Sequence, residues 1–251
     1  MADDRPGSAD DPGASSSLTT DAFRAVFGGP DHDRLPVLLL TLTMLSGVID
    51  ATSVIDLGHV FVANMTGNLV FIGIGLLATP DYSLTAALVP LGGFVLGVEG
   101  CRLLAARRPG RLMLLRDGLI GQAALLVVTT GLCAVAAGKP VGAIRYAVLA
   151  VAAVAMGGQN GLARRMGVNE LTTTVMTGTV TALVSGRRER EGRVASLRLT
   201  FSVVSLIAGA LLGTAVVRVG HSTPALGLCA AIAVAVAVGA SRQCASRPDD
   251  A

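Results

Sequence analysis

Residues 35–68 read LPVLLLTLTMLSGVIDATSVIDLGHVFVANMTGN, and the fold turns on how this stretch meets a bilayer. It opens on fifteen uncharged residues, Leu35 to Ile49. A first segment at 35–55 has about the length that spans a hydrocarbon core, with Asp50 near its end. The chain then changes character. His59-Val60-Phe61-Val62 favours extended backbone, and a helical pattern returns only after Met65-Thr66-Gly67, where Thr66 and Asn68 are N-cap types. An extended lead into a half-helix is tolerated inside a membrane only where protein or water covers it. The second apolar segment, 60–79, is therefore expected to be re-entrant.

Outward from this stretch the pattern repeats. The 251-residue chain is 52% hydrophobic and 15% charged, with mean hydropathy +0.66. A soluble domain of this length cannot hide that much apolar surface around one core. Further apolar segments fall at 84–106, 117–137, 142–160, 171–185, 199–218 and 224–240. Two arginine clusters separate them, one of Arg102, Arg107, Arg108, Arg111 and Arg116, the other of Arg187, Arg188, Arg190, Arg193 and Arg198. The positive-inside rule places both in the cytoplasm. Three apolar segments lie between them, so one of the three does not cross. The short, threonine-rich segment Leu171 to Ser185 is the candidate, and the same parity argument applies to 60–79. The expected fold is an all-α integral membrane protein of the plasma or inner membrane, with six transmembrane helices, two re-entrant or broken segments, and both termini cytoplasmic. Eight crossings with parallel repeats form the alternative, which leaves one arginine loop outside.

A shift of about 111 residues aligns the two halves. Met65-Thr66-Gly67 falls on Met176-Thr177-Gly178, Gly47 on Gly158, and Val37-Leu38 on Val148-Leu149. Both triplets lie in the segments singled out by charge. Three crossings per half force the halves to be inverted, so 35–137 and 142–240 form a 3+3 inverted repeat, an architecture whose sites lie at the midplane. Gly93/Gly97 and Gly209/Gly213 are small-xxx-small pairs that allow close helix approach. Residues 1–34, rich in Asp, Gly, Ser and Pro, read as a disordered acidic tail, and 241–251 as a C-terminal tail.

Two polar runs interrupt the apolar sequence, one from Gly47 to Asn68 and one from Gly157 to Thr179. Asp50 precedes Gly58-His59-Val60-Phe61-Val62-Ala63-Asn64-Met65-Thr66-Gly67-Asn68; Gln159-Asn160 precedes the threonine-rich Thr172 to Gly178. These motifs resemble the YoaK-like family of bacterial multi-pass membrane proteins, a domain of unknown function. The resemblance covers most of the chain after the tail and implies a membrane protein without naming a substrate.

An intramembrane carboxylate costs at least a few kcal/mol and tends to be functional. The expected substrate site is Asp50, Asn64, Thr66, Asn68, Gln159, Asn160 and Thr177, with Asp50 as the proton-linked or cation-binding group. The competing reading has these residues only fixing helix packing, and it makes the chain a scaffold or stress-response protein. Glu99 reads as an i,i+3 partner of Arg102. Arg164 and Arg165 read as loop markers. Cys101, Cys133, Cys229 and Cys244 form no metal-binding spacing and read as small apolar residues of helices. No catalytic motif emerges, Asp56 and His59 being the only close acid–His pair within the apolar part of the chain. The expected partners are the lipid bilayer and a small-molecule or ion substrate. No cofactor, metal or nucleic acid is expected, and the sequence admits a homo-oligomer.

Overall fold

The computed structural model describes residues 35–77, 83–108, 110–166 and 190–246. Among them are seven helices: α1 (Leu35–Asp56), α2 (Met65–Leu76), α3 (Leu84–Arg107), α4 (Arg111–Val135), α5 (Gly142–Arg165), α6 (Arg190–Gly220) and α7 (Ser222–Ser246). All but α2 are long and apolar enough to cross a bilayer. At about 1.5 Å per residue, the 12-residue α2 is too short to do so. The chain is thus an all-α, multi-pass membrane protein, as its composition predicts. Helix ends run past several expected segment boundaries: Arg111 and Arg116 lie in α4, Arg164 and Arg165 in the last turn of α5, and α7 continues to Ser246. Leu171–Ser185 and Met176-Thr177-Gly178 lie outside the described residues, as does the acidic tail.

Glycines set the closest packing. A Cβ on Gly97 would overlap the Val154 carbonyl of α5, and one on Gly157 the Phe94 carbonyl of α3. Gly209 stands in the same way against Met44 of α1, and Gly47 against Leu206 of α6. With no Cβ between them, these backbones come into van der Waals contact, which drives association where no hydrophobic effect operates between helices.

The same contacts give the helix directions. Residue numbers rise together from Gly93–Ala150 to Gly97–Val154 and Gly161–Cys101, so α3 and α5 are parallel. Met44–Gly209 and Val48–Gly213 make α1 and α6 parallel. By contrast, Gln159 meets Leu42 while Arg145 lies against Gly58, so α1 and α5 are antiparallel. Gln122–Gln159 and Gly118–Leu162 make α4 antiparallel to α5. The main pairings are α3 with α5, α1 with α6, and α4 with both α5 and α7. Arg107, Arg108, Arg111, Arg164, Arg165 and Arg242 gather at one end of the bundle; Lys139, Arg145 and Arg218 lie toward the other.

Candidate functional site

Asp50 lies on α1 six residues before the helix ends at Asp56, about 9 Å along the axis. It is 5% exposed. Beyond Asp56 the backbone is non-helical through Asn64, with Gly58 at φ 113° and His59 at φ 57° making the reversal. The chain then doubles back alongside α1, because Val62 N–H (2.9 Å) and Ala63 N–H (2.7 Å) both donate to Asp50 Oδ1. Asn64 Nδ2 donates to Oδ2 at 3.1 Å. A non-helical lead into α2 is therefore present, formed of turns and bends and not of strand, and it returns to the level of Asp50 on α1.

The structure places the start of α2 differently from the sequence reading. Asn64, not Thr66 or Asn68, occupies the N-cap position, and its side chain makes no capping bond. The carboxylate at this helix start comes from Asp50 on a neighbouring helix, where it meets the positive end of the α2 dipole. Asn68 clamps the loop instead. Its Oδ1 accepts from Phe61 N–H (2.8 Å) and its Nδ2 donates to Phe61 C=O (2.6 Å). Gly67 makes room for the Phe61 ring. Thr66 is exposed and turned away from this cluster.

A second polar cluster lies one helical turn away. Ser46 and Asp50 are four residues apart and share a face of α1. Gln159 Nε2 donates to Ser46 Oγ (3.0 Å) and to the Leu42 carbonyl (3.2 Å), while its Oε1 accepts from Gln122 Nε2 (2.5 Å). A carbonyl only accepts, so this network orients both amides. Gln122, Gln159 and Asn160 are each 3% exposed. Gln122 Oε1 is left without a hydrogen-bond partner, one of two such buried side-chain atoms among the described residues, the other being Arg145 Nε. Arg145 packs its guanidinium against Gly58 and over the Tyr146 ring.

The described site residues thus fall into two stacked groups, Asp50–Asn64–Asn68 and Ser46–Gln159–Gln122, with Asn160 buried beside the second. Thr177 lies outside the described residues. Sequence reasoning missed Ser46, Gln122 and Arg145. A lone amide at mid-span was the available signal for Gln122, but only the fold brings it to Gln159. The Glu99–Arg102 pair forms as expected, with N–O 2.6 Å. Asp56 bonds to Ser222 Oγ (2.8 Å) and His59 is exposed. Three of the four cysteines are buried, and all four are free thiols. Among the described residues no three of His, Cys, Asp and Glu converge as a metal site.

Six helices long and apolar enough to cross a bilayer, with a short apolar helix and buried polar groups packed among them, define a multi-pass membrane protein of helical type. The chain belongs to the family described as a protein of unknown function, DUF1275, whose model matches residues 38–239. It is similar to the UPF0700 transmembrane protein YoaK of Bacillus subtilis (strain 168), with 31% identity over 155 residues, 60% of this chain and 67% of that one. No solved structure matches the chain.

Proposed function

We propose that this protein is a small-solute transporter or channel of the plasma membrane, built as a 3+3 inverted repeat with its site near the midplane between the halves. The observation that carries the reading is the re-entrant loop ending on a buried carboxylate, one turn from a buried amide network with an unused acceptor. Each polar group is costly at that depth, so their convergence calls for a purpose. The repeat is supported by direction: α1 and α5 are antiparallel, and exchanging α1, α3 and α4 for α5, α6 and α7 maps the main helix pairs onto one another. The gathering of arginines at one end supports cytoplasmic termini.

The solute offers hydrogen-bond donors. Asn64, Asn68, Gln122 and Gln159 each spend an amide N–H within the protein. The buried Thr43, Ser46, Thr52 and Thr129 hydroxyls donate to carbonyls of their own helix, so each can act further only as an acceptor, as Ser46 does toward Gln159 Nε2. No enzymatic activity and no nucleic-acid partner is proposed.

One observation favours the scaffold reading instead: both Asp50 oxygens are already engaged by the loop. Stopped-flow light scattering on proteoliposomes separates the two, using urea, glycerol, methylammonium and formate as probes. The transporter reading expects urea, glycerol or methylammonium to equilibrate faster than in protein-free liposomes, and Gln122→Leu to remove that excess. Rates equal to those of empty liposomes for all four would leave the scaffold.

A further inference from the structure

The arginine-rich end of the bundle carries a feature that orientation in the membrane does not require. Between α4 and α7 lies a groove of about 350 Å³, lined by Met113, Arg116 and Ile120 on one side and Ser241, Cys244 and Ala245 on the other. Met113, Arg116 and Ile120 follow helical spacing, so they form one stripe along α4. Ile120 is 47% exposed. Arg116 lies five residues into α4, about 7.5 Å from its start, and Ile120 nine residues in, about 13.5 Å. The groove therefore runs from headgroup depth into acyl-chain depth.

Its polar end carries surplus positive charge. Asp117 Oδ1 accepts from Arg116 Nε at 2.8 Å, and Asp117 Oδ2 pairs with Arg108 Nε at 2.9 Å. One carboxylate thus holds two guanidinium groups in place and neutralises one of them. Arg116 Nη2 also pairs with Asp117 Oδ1 at 2.8 Å, and the side chain, which lines the groove, remains 34% exposed. Arg111, which donates to the Met166 carbonyl, starts α4, and Arg242 follows Ser241 on α7. The Ser241 hydroxyl donates to the Ala237 carbonyl, so donors to an anion here come from arginine.

We propose that this groove is a binding site for an anionic phospholipid, its phosphate on Arg116 and one acyl chain along Met113, Ile120 and Ala245. A phosphodiester without a headgroup cation matches the surplus charge. A zwitterionic lipid brings an ammonium that the same arginines repel. Basic pockets between helices at a membrane surface recognise lipid in this way, and guanidinium suits phosphate geometry.

Native mass spectrometry of the purified full chain tests this, with dioleoyl phosphatidylglycerol against dioleoyl phosphatidylcholine. The wild type should take up the phosphatidylglycerol preferentially. Arg116→Gln should reduce that preference about fivefold, the effect of one arginine near an anionic headgroup. Arg116→Lys should retain most of it, and Arg164→Gln, at the end of α5, all of it. Ala245→Trp fills the groove without changing charge and should weaken uptake as well. Equal affinity for both lipids in the wild type overturns the proposal, as does full preference in Arg116→Gln. If Arg116→Gln does not accumulate, Ala245→Trp decides: undiminished preference there places the lipid elsewhere.

Discussion

Replacing Asp50 tests whether its carboxylate holds the re-entrant loop. Asp50→Ala removes the acceptor for Val62 N–H and Ala63 N–H, both on fully buried or nearly buried residues. Leaving a buried donor unsatisfied costs about 1–3 kcal/mol, so the two together cost about 2–6 kcal/mol, before any loss at Asn64. Asp50→Asn keeps one carbonyl oxygen that can still accept from both backbone groups. Its new Nδ2, however, faces the Asn64 Nδ2 donor, which trades a 3.1 Å hydrogen bond for a donor–donor contact. That variant should lose about 1–3 kcal/mol, so it is not a clean deletion of charge. The buried free thiols Cys101, Cys133 and Cys229 report unfolding directly. A thiol-reactive fluorophore in detergent should give melting temperatures in the order wild type, Asn, Ala. If Asp50→Ala melts with the wild type, the carboxylate does not hold the loop. Equal losses in Asn and Ala would mean that its charge matters and its acceptor geometry does not.

The remaining predictions concern packing, topology and the outer end of the bundle. Gly97→Leu and Gly209→Leu should both abolish accumulation in the membrane, because an added side chain meets a backbone carbonyl that cannot yield; Gly92→Leu, with nothing within 4 Å of its Cβ, should accumulate normally. In a cysteine-free background, Arg111→Cys and Arg190→Cys should resist a membrane-impermeant thiol reagent in intact cells while Lys139→Cys is labelled. Labelling at Arg111 would reverse the proposed orientation. Ser222→Ala removes a hydrogen bond to Asp56 and should lower stability by about 1 kcal/mol, readable in the same thiol melt. Arg102→Gln should leave the melt unchanged, since its pair with Glu99 is exposed on both sides.

Much of this architecture was legible in the chain itself, because bilayer constraints are local and act on composition. Twenty-odd apolar residues must form a helix, whatever surrounds them. The six long helices, the break between Asp56 and Met65, and the close glycine contacts all follow from residue type and spacing. The Glu99–Arg102 pair was legible for the same reason, both partners lying on one turn. What the residues could not specify was the partner of each polar group. Asp50 read as a proton-linked or cation-binding group, with helix packing as the alternative; only the reversal at Gly58 and His59 brings Val62 and Ala63 to it. Gln122 stands alone in an apolar helix and acquires meaning from Gln159, 37 positions away. Thr66 shares a motif with Asn68 yet faces outward, because residues two apart on a helix point about 200° from one another. Apolar length and the placement of the arginine clusters indicated which segments cross, while three-dimensional packing decided which buried groups meet, since hydrogen bonding depends on position and angle that no one-dimensional pattern encodes.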